Sequence, residues 1–381
     1  MTSSSPDPEL VLTHAQITKC DRPEALFGSI KGMSTSIALS SVKHIYRRLA
    51  AVVHSDKNQD PANRPLAHEA FSKLSVFYSQ AISRINSGTY GTDVPTSSLT
   101  PAVIRSSKGT YAVSRGIAGG DLSKVYLGDY APTDGGPTKA VILKVARHAD
   151  LNLFLVSESA AIKALDEAAS GTQSYRQFIP TIFESFRVKT TDDPQQLQVN
   201  VFSYVTADFR LLPDVFSQYP SGIDPRHFVW IFSRLLTVLS FSHSQGIVHG
   251  AVLPPHIFIQ PVSHAIHLID WCFAGERGKP LLIIPNAYKH FYPPEVGAKQ
   301  AATSATDIYM AAMCMCYILG SDYGEGLEKS GLPPRFTRLL TGCLMKNPAR
   351  RTSDAWALYL ELQSAAEAVF GPRRYVKLEM A

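Results

Sequence analysis

The chain has 381 residues, enough for two domains, and 45% apolar against 18% charged residues is the balance of an ordinary globular protein. Its net charge of +5 is too weak to argue for a nucleic-acid partner. The five cysteines (Cys20, Cys272, Cys314, Cys316 and Cys343) are odd in number and contain no Cys-x-x-Cys pair, so neither a zinc knuckle nor a disulfide framework is expected. No basic segment followed by an apolar run opens the sequence, and Ile308–Leu319 is too short to span a bilayer. The expectation is a soluble, cytoplasmic or otherwise intracellular protein without a membrane partner.

Residues 1–20 read as a frayed N-terminus. Pro23-Glu-Ala-Leu-Phe-Gly28 predicts a short helix stopped by its glycine. A second helix, capped by Ser40 or Ser41, runs to about Val53, with Val42, Ile45, Leu49, Ala50 and Val53 as its buried stripe and Lys43, Arg47 and Arg48 on a basic face. After a polar loop, His54-Ser55-Asp56-Lys57-Asn58, Pro65 to about Ile85 predicts a third helix with Ala70, Phe71, Leu74, Phe77, Tyr78 and Ala81 on its core side. Taken alone, the basic face is more simply a solvated helix surface.

Residues 21–88 resemble a J domain, the all-α co-chaperone module that stimulates ATP hydrolysis by seventy-kilodalton heat-shock chaperones. The resemblance rests on Tyr46-Arg-Arg-Leu-Ala50, Ala70-Phe-x-Lys-Leu74 and the loop between them. It implies a chaperone partner contacted by His54, Asp56, Lys43, Arg47 and Arg48. The family's tripeptide is His-Pro-Asp, and Ser55 stands in the proline's place. Losing proline frees the backbone dihedral there, so the loop holds His54 and Asp56 less firmly. A degenerate helical interaction module is the competing reading.

Residues 89–109, rich in Ser, Thr, Gly and Pro, read as a flexible linker. Tyr111–Val113, Lys124–Gly128 and Lys139–Val145 then predict three strands. Gly119 and Gly120 lie between the first two, where backbone amides approach phosphates closely; a plain hairpin turn explains them equally well. Lys144 on the third strand is expected to pair with Glu158 on the following helix, with Lys139 and Glu167 as plain surface alternatives. Further on, Pro225 begins a long helix with Phe228, Ile231, Leu235, Leu239 and His243 on one face, ended by Gly246. Two apolar strands around Ile257–Ile259 and Ile266–Ile269 follow, the second leading to Asp270.

This second part resembles the bilobal α+β protein kinase fold, with an N-lobe at 110–206, a C-lobe at 207–371 and a tail at 372–381. Ala118-Gly-Gly-Asp-Leu-Ser-Lys-Val125 matches the spacing of the glycine-rich loop Gly-x-Gly-x-x-Gly-x-Val, with a glycine retained only at Gly120. His249-Gly-Ala-Val-Leu-Pro-Pro-His256 matches His-Arg-Asp-x-Lys-x-x-Asn, and Asp270-Trp-Cys272 matches Asp-Phe-Gly. The base position is therefore Ala251, the lysine position Leu253 and the second metal position His256. Tyr292-Pro-Pro-Glu295, Thr306-Asp307 and Arg351 match structural positions, and the resemblance implies a buried Glu295–Arg351 pair and an Asp307 brace to the backbone near His249. It also implies ATP with a divalent ion as the one cofactor to expect, held by Lys144, Glu158 and Asp270 with His256 as a second metal candidate. His256 is equally readable as a hydrogen-bonded loop residue. Phosphoryl transfer needs a group to orient the nucleophile, and Ala251 supplies none. The sequence thus points to a pseudokinase acting as a binding or scaffold module for a protein client. The alternatives are an atypical ATP-dependent kinase or nucleotidyl transferase, or a nucleotide-sensing scaffold. The segment 270–295 holds no serine or threonine, so a Ser/Thr phosphorylation switch within it is excluded.

Overall fold

A computed structural model describes residues 7–20, 22–30, 33, 35–54, 57–58, 60–86, 90–91, 102–170, 173–189, 195–204, 208–321, 327 and 331–380. The chain divides into two compact units, Met1–Ser98 and Leu99–Ala381. Among the described residues no helix is long and apolar enough to cross a membrane.

The first unit contains four helices: α1 (Pro8–Lys19), α2 (Pro23–Phe27), α3 (Thr35–Val53) and α4 (Arg64–Asn86). Residues 8–19, expected to fray, are instead helical. Asp7 caps α1 by accepting from Glu9 N, Pro8 takes the first turn, and Leu10 and Ile17 are fully buried beside Thr13. Lys73 Nζ on α4 donates to Thr18 O at 2.8 Å, tying the end of α1 to its neighbour. Helix α3 begins at Thr35, so Ser40 and Ser41 lie inside it rather than capping it. Its buried line, Ala38, Val42, Leu49 and Val53, packs on Ala70, Leu74, Phe77 and Ala81 of α4.

The second unit opens with a six-stranded antiparallel sheet: β1 (Ala102–Arg105), β2 (Gly109–Gly119), β3 (Ser123–Pro132), β4 (Lys139–Ala146), β5 (Ile182–Lys189) and β6 (Gln196–Ser203), in the order β1-β2-β3-β4-β6-β5. Strand β1 corrects the linker reading of 102–109. Its pairing runs from Ala102↔Val113 to Arg105↔Thr110, and Ile104 joins the small core under the sheet. Helix α5 (Asn152–Ala168) follows β4; its Leu155 is buried with Leu122, Ala146, Phe154 and Cys272, while Ile162 and Leu165 join the main core.

The remainder is mainly helical: α6 (Gln173–Arg176), α7 (Leu212–Gln218), α8 (Pro225–Ser244), α9 (Pro294–Gly297), α10 (Ser304–Ile318), α11 (Pro334–Cys343) and α12 (Ala355–Phe370). Short strands β7 (Arg210–Leu211), β9 (Ile257–Gln260) and β10 (Ala265–Leu268) form one ribbon, and β8 (Ile247–Val248) pairs with β11 (Gly275–Glu276). Helix α10 is buried on nearly every side, which accounts for its lack of amphipathic pattern. Helix α12 buries Leu358, Leu362 and Ala365, spaced at four and three, while Trp356 and Leu360 face solvent. The tail folds back: Leu378 is buried and Tyr219 Oη donates to Glu379 O, with Arg373 and Arg374 exposed.

Buried charges fix the loop that follows α8 and, separately, the segment at Glu295. Asp307 Oδ2 accepts from His249 N at 2.8 Å and faces His243 Nε2 at 2.9 Å, while Oδ1 accepts from Gly250 N at 2.9 Å. Glu295 and Arg351 pair through two contacts, 2.6 and 3.2 Å, and Arg351 also donates to Ala305 O. Both pairings agree with the sequence reading. Within this frame His249 Nδ1 accepts from Ala251 N at 3.2 Å, so its Nε2–H donates to Ile269 O at 3.1 Å. Only the neutral ring satisfies both contacts, and burial pushes its pKa down to about 4.

Two stability predictions follow from this frame. Removing one partner of a buried pair strands the other charge, so Arg351→Leu costs about 3–5 kcal/mol in urea unfolding, and a loss under about 1 kcal/mol contradicts the pairing. Because His249 titrates lower folded than unfolded, its contribution is present above the unfolded pKa and is lost as pH falls from about 6.5 towards 4. The stability gap between the native chain and His249→Gln therefore narrows by about 3 kcal/mol over that window; a gap independent of pH excludes a neutral, buried His249.

Candidate functional site

Strand β4 places Lys144 under the sheet, and its ammonium sits between two carboxylates, 2.8 Å from Glu158 Oε1 on α5 and 2.5 Å from Asp270 Oδ1. Glu158 is fully buried, and its other oxygen accepts from Asn200 Nδ2 on β6 at 3.0 Å. Asn200 also donates to Leu155 O, pinning α5 to the sheet. Burial works against a charged Lys144, but the Asp270 and Glu158 carboxylates more than offset it and hold its pKa well above the usual lysine range. Burial likewise opposes the Asp270 carboxylate, and Lys144 with His256 holds it well below the usual range. The cluster is therefore ionised and mutually neutralising. Asp270 reaches it from a left-handed backbone (φ 63°), a conformation that costs an aspartate on the order of 1 kcal/mol and aims the carboxylate at Lys144.

Glu158, Asp270 and Cys272 bring ligand atoms within 4.8 Å of one another, but the Lys144 ammonium already bonds the two carboxylates. Burial and Glu158 keep the Cys272 thiol well above its ordinary pKa, hence protonated. This trio is thus a lysine site rather than a metal site. His256 offers a different donor. Its Nδ1 faces Ala251 O at 2.8 Å and its Nε2 lies 3.1 Å from Asp270 Oδ2. Both partners accept hydrogen bonds, so each contact calls for an N–H on the ring, Nδ1–H toward Ala251 O and Nε2–H toward Asp270 Oδ2.

The hairpin bearing Gly119 and Gly120 is tight rather than open. Gly119 pairs with Lys124, and Gly120 N donates to Ser123 O at 3.0 Å. Its tip residue Leu122 is buried against Ala146, Phe154, Leu155 and Cys272. An aliphatic side chain thus lies between the hairpin and the segment after Asp270, where a nucleotide's phosphates would have to enter. Both Asp270 oxygens are engaged, position 256 offers nitrogen, and Leu122 fills the hairpin's underside. This arrangement does not fit magnesium-ATP as it stands; a His–Asp pair suits a borderline divalent ion better.

On the acceptor side, Ala251, Val252 and Leu253 are each 0% exposed and belong to the main hydrophobic core. Gly250 takes φ 73°, and a Cβ there would lie 2.6 Å from Phe273 O, so the position of the motif's arginine admits no side chain. The sequence reading missed Asn200, Leu122 and Cys272 as members of the site. Asn200 was discernible as the polar residue within the stretch Val199–Phe202 of β6.

In the first unit, Lys43, Arg47 and Arg48 are exposed on α3. Asn58 Nδ2 donates to Val52 O and His54 O, closing the end of α3, and the His54 ring meets Phe71 edge-on at 5.1 Å. Ser55 and Asp56 lie outside the described residues.

No protein-family model matches the chain. Among curated proteins it is similar to serine/threonine-protein kinase D of Synechocystis sp. (strain ATCC 27184 / PCC 6803 / Kazusa), 26% identical over 155 residues, covering 35% of this chain and 30% of that protein. The chain thus spans under a third of the length of this relative. The mixed helix and sheet architecture of the second unit, with its antiparallel sheet ahead of a helical part, is consistent with a kinase-like α+β fold.

Proposed function

We propose that the second unit is a pseudokinase, a kinase-like binding module that engages a protein client without transferring phosphate. The observation carrying this reading is the burial of Ala251, Val252 and Leu253 in the hydrophobic core. A loop that orients an acceptor hydroxyl has to present a polar group to a cleft, and this one presents methyl groups to the core. The Lys144–Glu158–Asp270 cluster then serves to lock sheet, helix α5 and the Asp270 segment together. The same cluster is what favours the alternative, an ATP-dependent transferase or nucleotide sensor, because its charges match a nucleotide's phosphates and metal.

The readings separate on binding. Under ours, the full chain shows no thermal shift with millimolar ATP and magnesium, and manganese gives at most a weak one through His256 and Asp270. Leu122→Gly removes the apolar plug and strengthens ATP binding by about tenfold or more; Lys144→Ala in that background abolishes the gain. Transfer of labelled γ-phosphate to any protein by the native chain overturns the pseudokinase reading.

The first unit we propose as a J-like module that recruits a seventy-kilodalton heat-shock chaperone to the client. Support comes from the exposed Lys43, Arg47 and Arg48 beside a loop whose His54 is fixed by Asn58 and Phe71. The native chain is expected to raise the ATPase rate of such a chaperone several-fold, and His54→Gln to remove the stimulation. Stimulation that survives His54→Gln, or none at all, rejects this role.

A further inference from the structure

A cavity of about 830 Å³ opens in the helical part of the second unit and shares no residue with the Lys144 cluster. Its walls are the start of α8, the turn between β9 and β10, the end of α12 and the returning tail. Four arginines line it (Arg226, Arg234, Arg373 and Arg374) against two carboxylates, Asp224 and Glu367, an excess of two positive charges.

The charges are unevenly satisfied. Arg226 is held by Asp224 through contacts of 2.7 and 3.0 Å. Arg234, half-buried on α8 with its guanidinium 5.9 Å from the Phe178 ring centroid, has no carboxylate partner among the described residues, and neither has Arg373. Burial and the positive charge of Arg373 both push the Arg234 pKa down, so the two guanidinium groups repel across the cavity. Such an arrangement is stabilised by an anion between them.

The second cation is also held in place. The His264 ring is clamped between Trp230 (4.2 Å, 3° between planes) and Tyr375 (4.8 Å, 29°), on a left-handed backbone with φ 55°. Tyr375 Oη donates to Val262 O at 2.8 Å. The clamp fixes the tail one residue beyond Arg374, so the arginines stand on an anchored segment. Inside the same wall, His264 Nε2 is buried with no hydrogen-bond partner among the described residues. Val229, Ala366 and Phe370 give the cavity an apolar side.

We propose that this cavity binds a phosphate monoester, its dianionic phosphate bridging Arg234 and Arg373 and its organic arm lying on Val229, Ala366 and Phe370. Two guanidinium groups lining one cavity without carboxylate partners call for two negative charges and several acceptor oxygens, which a phosphate monoester supplies and a single carboxylate does not. A phosphorylated side chain and a free phosphorylated metabolite carry the same group.

Titration calorimetry on the full chain tests this with phenyl phosphate, inorganic phosphate and a phosphoserine peptide as probes. Phenyl phosphate is expected to bind at least about tenfold more tightly than inorganic phosphate, reflecting the apolar wall. Arg373→Gln, at an exposed position outside the core, is expected to weaken phenyl phosphate by at least about tenfold, as is Arg234→Met. A phosphoserine peptide tighter than phenyl phosphate assigns the site to a protein partner, and a weaker one assigns it to a small ester. Equal affinity for inorganic and phenyl phosphate, or affinity unchanged by Arg373→Gln, overturns the proposal.

Discussion

The second unit depends on a buried carboxylate that is never left unsatisfied. Asp307, wholly inaccessible to water, takes donors from three places: the end of α8 through His243 and two successive amides of the loop at His249 and Gly250. A charge buried without such donors costs several kcal/mol, so each contact is effectively obligatory. Because α10 carries Asp307, the helix and the loop can be placed only together. The loop then presents Ala251 O to His256 while its His249 holds Ile269 O of the segment after β10, and the position of Asp270 follows from those contacts.

A second set of charges works on the sheet side. Lys144, Glu158, Asp270, Asn200 and His256 form a closed circuit in which every ionised group meets an opposite charge or an amide donor. Such a circuit serves nucleotide binding when the space around it is open and serves packing when that space is filled. Here Leu122 packs against Cys272 and α5 beside it, and the turn that carries Leu122 is closed by Gly120 N donating to Ser123 O. The same five residues therefore read as a clamp between sheet, α5 and the Asp270 segment.

Much of this was legible in the sequence because it is set by spacing within regular elements. Lys144 and Glu158 lie fourteen residues apart on a strand and the helix that follows it, and their encounter follows from that connection. Asp307, Glu295 and Arg351 were likewise placed by order along the chain. What escaped depends on tertiary packing. Helix α1 is short, with exposed Val11 and Leu12 blurring its pattern, and only contact with α3 and α4 makes its Leu10 and Ile17 line worth burying. Strand β1 is four residues long, and its pairing with β2 is invisible in a stretch dominated by Ser, Thr and Pro. The inward turn of Leu122, and the return of the tail to stack Tyr375 on His264, are choices of side-chain direction that no local pattern encodes.

The buried loop at Ala251 resists the introduction of a polar group. An aspartate introduced at Ala251 would bring a carboxylate into a wholly buried apolar site, at a cost of several kcal/mol unless it stayed protonated and so useless as a base. An arginine at Gly250 would collide with the carbonyl of Phe273 on a backbone that disfavours any side chain. Ala251, Val252 and Leu253 are part of the core, so placing a polar group in this loop requires repacking the core rather than exchanging one residue. On the proposed reading, such a domain can change its surface contacts while this loop stays closed to a catalytic side chain.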